Sequence, residues 1–138
     1  MSETVAKTSE YFGSGLYCSQ AVLGAFSEKY GLDKQTAFNI SCGLNSGVRC
    51  AEACGAVTGA VLVIGLKYGH DKALCNQKTQ EFIELFAKIH GSIVCRDLLN
   101  CNIATPDGLE TAREQDLFKT RCMDMVVCAA QLLEDAGY

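Results

Sequence analysis

The sequence predicts an all-α fold, a single-domain helical bundle over residues 1–138 with one buried central helix. Three observations carry this expectation. No segment sustains the period-two alternation of a half-buried strand, the long segments repeat apolar residues at helical spacing, and glycine rather than proline supplies most of the breaks. A length of 138 residues suits one compact domain, and 49% hydrophobic against 20% charged residues describes a packed globular chain rather than a disordered or fibrous one.

The elements follow in order. Cys18 to Tyr30 sets Cys18, Val22, Ala25 and Phe26 on one side, with Gly31 placed to end the helix. Asp33 can cap a shorter helix through Ile40, and the glycine-bearing loop Gly43-Leu44-Asn45-Ser46-Gly47 has no periodicity. Arg49 to Tyr68 is apolar on nearly every side, which is expected of a helix surrounded by other helices. Within it Gly55 and Gly59, and farther on Gly65 and Gly69, recur at four-residue spacing that lets a neighbouring backbone come close. An anion-binding P-loop is excluded, because no strand precedes these glycines and no Gly-Lys-Ser/Thr ending follows.

Lys72 to His90 reads as a long surface helix with Phe82, Ile83, Phe86 and Ile89 on its apolar side. Ser92 to Leu99 reads as a short helix, and Asn102 to Gly108, with the only proline, as the main loop of the second half. Asp107-Gly108-Leu109-Glu110 has the form of a capping box for the segment after it. Phe118 to Ala136 forms the last helix, with Phe118, Cys122, Met125, Val126, Ala129 and Leu133 on one side.

Charge and targeting signals narrow the function classes. Twelve basic against sixteen acidic residues give a formal net charge of −4 with no two adjacent basic residues, which argues against a nucleic-acid surface. The uncharged run Ala53 to Leu66 is shorter than the ~20 residues needed to cross a bilayer. The first residues lack the basic and apolar regions of a signal peptide, so the expected compartment is the reducing cytoplasm.

Nine cysteines are therefore the informative count, and their odd number forbids complete pairing within one chain. No Cys-x2-Cys, haem-attachment or ferredoxin spacing is present, so position has to carry the argument. Cys18, Cys54, Cys95 and Cys122 fall on four different expected helices, each lining or opening the apolar side, where a bundle could bring their sulfurs together. Four convergent thiolates would bind a soft metal or a cluster. Cys18, Cys95 and Cys122 also fall in or near a first helical turn, where the helix dipole favours a thiolate.

Secondary candidates are Cys42 and Cys50, which flank the glycine-bearing loop with Arg49 beside the second. Cys50 and Cys54 are four apart, which on a continuous helix puts their Cβ atoms about 5–6 Å apart and suits a shared metal better than a disulfide. Cys75 and Cys128 read as packing or surface residues, and Cys101 could partner Cys95. A buried free cysteine also behaves as a small hydrophobe, so inert packing stays open for each taken alone. His70 and His90 read as caps or exposed ends, Glu81, Glu84, Glu110, Glu114 and Asp116 as solvated faces, and no Ser/His/Asp set or carboxylate pair suggests hydrolysis.

Cys18-Ser19-Gln20-Ala21-Val22, Cys54-Gly55-Ala56-Val57-Thr58-Gly59, Cys95-Arg96-Asp97-Leu98-Leu99 and Cys122 together resemble the family called C_GCAxxG_C_C over nearly the whole chain. The resemblance implies a redox-active protein with four signature cysteines, here Cys18, Cys54, Cys95 and Cys122, and an association with iron–sulfur redox proteins. The expectation is an electron-transfer protein or oxidoreductase holding an iron–sulfur cluster, with zinc as the alternative metal, an electron-transfer protein as partner and a homodimer left open. A metal-free thiol–disulfide oxidoreductase and a helical interaction module with inert thiols are the competing readings.

Overall fold

A computed structural model describes residues 1–138, and the chain is all-α as the sequence predicts. The helices are α1 (Glu3–Gly13), α2 (Cys18–Ser27), α3 (Lys34–Ser41), α4 (Gly55–Tyr68), α5 (Lys72–His90), α6 (Cys95–Leu99), α7 (Pro106–Glu114) and α8 (Arg121–Asp135). The only extended pairing is a single antiparallel bridge between Ala53 and Val94. No helix is long and apolar enough to cross a membrane.

α4 is the central helix. None of its residues is exposed, and α2, α5 and α8 surround it. Two glycines make the closest of these packings possible. A Cβ on Gly59 would stand 2.8 Å from the Ser19 carbonyl oxygen and 3.1 Å from its Cα, and one on Gly55 would collide with Cys18 Sγ. The second glycine pair does not act this way: a Cβ on Gly65 meets nothing within 4 Å, and one on Gly69 meets only the Gly65 backbone. Buried polar groups on the α2–α3 side are satisfied locally. Ser19 Oγ donates to the Ser41 carbonyl at 2.8 Å, and Gln20 Nε2 donates to the Phe38 carbonyl at 3.0 Å.

Several boundaries differ from the sequence expectation. The N-terminal segment forms α1, capped by Ser2, whose hydroxyl accepts from the Val5 N–H. α2 ends at Ser27, and a 3-10 turn over Glu28–Tyr30 carries the chain to Gly31, whose left-handed φ of 85° closes the turn. α3 is capped by Asp33 as expected. α5 runs from Lys72 to His90, as the sequence predicts. His90 is not simply an exposed cap: its ring packs on Phe86 at 4.7 Å, and its buried Nε2 lacks a partner. α7 is capped by Thr105, with Pro106 in the first position, so Asp107 lies inside the first turn rather than capping it. α8 begins at Arg121, three residues later than predicted.

The largest difference lies ahead of α4, which begins at Gly55 rather than Arg49. Ser46, Gly47, Val48 and Arg49 have φ of 55°, 63°, 57° and 62°, and Ala51 has 59°. Four consecutive left-handed residues turn the chain opposite to an α-helix, a conformation L-residues adopt only under outside constraint. The constraint is partly Glu52, whose N–H donates to the Gly47 carbonyl and whose backbone leaves no room for a Cβ at position 47. Cys50 and Cys54 therefore do not share a helical face. Cys50 is exposed, its thiol turned to the Gly47 carbonyl at 3.3 Å, whereas Cys54 is buried.

Two apolar clusters result. The larger joins α1, α2, α4, α5 and α8 around residues such as Leu23, Val57, Ile64, Phe86 and Met125, and the smaller gathers Ala51, Cys95, Leu99, Ile103 and Ala112 beside α6 and α7.

Candidate functional site

Cys18, Cys54, Cys95 and Cys122 meet where the two clusters adjoin. Each stands at the start of a helix: Cys54 caps α4, Cys18 and Cys95 are the first residues of α2 and α6, and Cys122 is the second residue of α8. A helix start leaves backbone N–H groups without intrahelical partners and carries the positive end of the dipole. The backbone N–H groups of Ser19 and Ser46 lie near enough to Cys18 to favour its thiolate, and those of Ala56 and Val57 do the same for Cys54. The left-handed turn thus reaches across the chain to one of the thiols.

A short suture holds Cys54 and Cys95 together. The Cys54 N–H donates to the Ile93 carbonyl at 2.7 Å and the Cys95 N–H donates to the Glu52 carbonyl at 2.6 Å, one on each side of the Ala53–Val94 bridge. Arg96 ties the same two segments, with Nη1 2.7 Å from Glu52 Oε1 and 3.2 Å from the Ala51 carbonyl. Arg121 fixes the start of α8 by donating from Nε and Nη2 to the Leu98 carbonyl at 3.3 and 3.2 Å. Chain segments distant in sequence are joined here by backbone and guanidinium hydrogen bonds, so thiol placement does not depend on side-chain packing alone.

All four thiols line one cavity of about 430 Å³. Most of the rest of its lining is apolar, including Phe12, Leu98, Leu99, Ile103, Leu109 and Phe118. Arg49 and Arg113 also border it, and both are exposed. Burial pushes the Cys18 thiol up to about 12, with the neighbouring Cys54 adding to the rise and the N–H groups of Ser19 and Ser46 opposing it. Burial likewise pushes Cys95 up to about 12, with Cys54 and Cys101 adding and Arg96 opposing. Cys54 and Cys122 are also raised by burial, and Cys122 further by the charges of the other three. The metal-free site therefore holds neutral thiols, each raising the cost of ionising the next.

No three His, Cys, Asp or Glu side chains are grouped to hold one metal ion. A tetrahedral ion with bonds of about 2.3 Å needs its sulfurs only about 3.8 Å apart. By its chemistry, rather than by any single-ion geometry, the donor set fits an iron–sulfur group: four soft thiols and no carboxylate in the cavity lining.

The secondary candidates fall outside this site. Cys42 and Cys50 are exposed and do not line the cavity. Cys75 and Cys128 pack partly buried against the larger cluster, away from the cavity. Cys101 stands near Cys95 without lining the cavity. Sequence reasoning missed Arg96, Arg113 and Arg121, although Arg96 and Arg121 are each adjacent to a signature cysteine. It also missed Ser46, whose contribution is a backbone N–H in a turn that the residue types do not announce.

No curated protein and no solved structure matches the chain. A family model described as "Putative redox-active protein (C_GCAxxG_C_C)" matches residues 16–136, a span that contains every thiol of the cavity. The chain belongs to the C_GCAxxG_C_C family.

Proposed function

We propose that the protein is an electron-transfer protein in which Cys18, Cys54, Cys95 and Cys122 hold an iron–sulfur cluster. The observation that carries this reading is the convergence of four cysteines, from four separate helix starts, on one cavity. Such a cluster supplies one-electron exchange, at a potential set by its type, burial and hydrogen bonds to sulfur. The chain's own part is to supply the thiolates, favour their charge at Cys18 and Cys54 through nearby backbone N–H groups, and exclude water with the apolar lining. Raised thiol pKa values also favour this reading over metal-free thiol–disulfide exchange, which works best when the attacking thiol ionises near ambient pH. Binding iron displaces the protons and removes the mutual repulsion of the thiolates. The reading places the protein in a reducing cytoplasm, where thiols stay available to bind metal.

The test is anaerobic purification followed by iron, zinc and acid-labile sulfide analysis of wild type, Cys54→Ser and Cys128→Ser. Iron and sulfide in wild type and in Cys128→Ser, with loss in Cys54→Ser, is the expected result. Zinc without sulfide, or no metal in wild type, overturns the reading.

A further inference from the structure

We propose that the mouth of the four-thiol cavity binds a small organic anion with an apolar body, its negative head held by Arg49 and Arg113. The inference rests on the cavity being the working site and not on which metal its thiols hold.

The first ground is the distribution of charge. The chain has sixteen acidic residues and a net charge of −4, yet no carboxylate lines the cavity. Its four arginines, Arg49, Arg96, Arg113 and Arg121, all belong to the cavity or its thiols, and none of its eight lysines lines the cavity. Arginine, with a planar fork of donors, is the cation suited to paired oxygens of an anion.

The second ground is a division of labour among these arginines. Arg96 is bound to Glu52 and Ala51, Arg121 to Leu98, and their fields reach Cys95 and Cys122 respectively. Arg49 and Arg113 make no bond to either of these thiol-bearing segments. Neither has a carboxylate partner, since the two ion pairs of the chain are Lys78–Glu81 and Arg96–Glu52. Arg49 makes only long hydrogen bonds, from Nη1 to Asn45 Oδ1 at 3.3 Å and to Ser46 Oγ at 3.4 Å. Fastening the thiol-bearing segments to one another does not account for these two guanidinium groups.

The third ground is the backbone beneath Arg49, which sits in the left-handed run at φ 62°. Strain of this kind persists where surrounding structure enforces it and gathers at ligand clamps. Here it brings the Ser46 N–H to Cys18 and, three residues on, Arg49 to the rim of the cavity. The volume of about 430 Å³ falls in the range of small-molecule pockets. The wall of Leu98, Leu99, Ile103, Leu109 and Phe118 faces the same space, so the complementary ligand has one charged end and an aliphatic or aromatic remainder.

The probe is radiolabelled benzoate, measured by equilibrium dialysis at fixed ionic strength on anaerobically purified protein, with benzyl alcohol as the neutral analogue. Saturable binding of benzoate that benzyl alcohol does not displace is expected. Arg49→Gln and Arg113→Gln should each weaken it about tenfold or more, while the Arg49→Lys/Arg113→Lys double variant, with its point charges, should keep part of the affinity. Lys72→Gln, on the far helix α5, should leave binding unchanged, and circular dichroism checks the fold of each variant. No saturable binding, equal displacement by benzyl alcohol, or unchanged affinity in both arginine-to-glutamine variants overturns the inference. Iron and sulfide assayed on the same samples separate the two proposals. Arginine-dependent binding without iron leaves this inference standing and removes the cluster, and iron without benzoate binding does the reverse.

Discussion

Replacing Gly59 and Gly65 by alanine, one at a time, places the same methyl group on the same helix in two environments. At Gly65 the new Cβ meets nothing within 4 Å, so the variant receives only the benefit of lower unfolded-chain entropy and better helix propensity, about 0.5–1 kcal/mol. At Gly59 the same benefit is opposed by contact with backbone, 2.8 Å to the Ser19 carbonyl oxygen and 3.1 Å to its Cα. Backbone cannot rotate away as a side chain can, so α2 must move outward by several tenths of an ångström. Overpacking of this kind costs about 1–3 kcal/mol. The net expectation is a loss of roughly 0–2 kcal/mol for Gly59→Ala, about 1–3 kcal/mol below Gly65→Ala. Thermal unfolding followed by circular dichroism on reduced protein should show the two melting temperatures moving apart by about 3–15 °C. On the proposed cluster reading, Gly59→Ala should also lower iron retention, because Ser19 follows Cys18, and Gly65→Ala should not. Equal stabilisation of both variants would refute the close approach of α2 to α4.

Three further outcomes are expected. In metal-free, reduced protein, an unfolded chain starts to lose thiol protons near pH 8.5, whereas Cys18 and Cys95 keep theirs until about 12 in the folded state. The folded state then binds more protons, so stability present at pH 8 declines as pH rises, by up to about 1.4 kcal/mol per pH unit for each such thiol. Urea midpoints at pH 8, 9 and 10 check this, and a flat profile contradicts it. Alkylation of the same protein with iodoacetamide, read by peptide mass spectrometry, should modify the exposed Cys42 and Cys50 well before the buried Cys54 and Cys95. Thr105→Ala removes the hydroxyl that accepts from the Gly108 N–H at 3.1 Å and should cost about 1 kcal/mol in urea unfolding.

What the sequence discloses depends on how local the determining physics is. α5 is legible to its ends because Asp71 caps it, an apolar side repeats along it and Gly91 closes it in the left-handed region. α1 carries comparable signals, a Ser2 cap and apolar Val5 and Phe12, and is as legible as the shorter α3, although it is absent from the expected elements. The four thiols are legible as a set because each lies on or beside an apolar side. Their depth and spacing are not, since these depend on α2 approaching α4 over two glycines and on the bridge between Ala53 and Val94. The run from Ser46 to Ala51 is the least legible part. Gly47 alone announces a turn, whereas Val48, Arg49 and Ala51 are residue types that ordinarily avoid positive φ. Reading those positions as the start of α4 placed Cys50 on the wrong face.

The thiols are shared evenly between the two apolar clusters: Cys18 and Cys54 belong with the larger one, Cys95 and Cys122 with the smaller. The smaller cluster encloses far less apolar surface, so it parts from its neighbour at a lower free energy than the whole chain unfolds. Whatever grips all four sulfurs is then a rivet across that seam. Its binding energy falls on the weakest joint of the molecule, raising the free energy of parting by RT ln(1 + [L]/Kd) and slowing backbone amide exchange in α6 while α5 is hardly affected. Filling the cavity and fastening the bundle are one event.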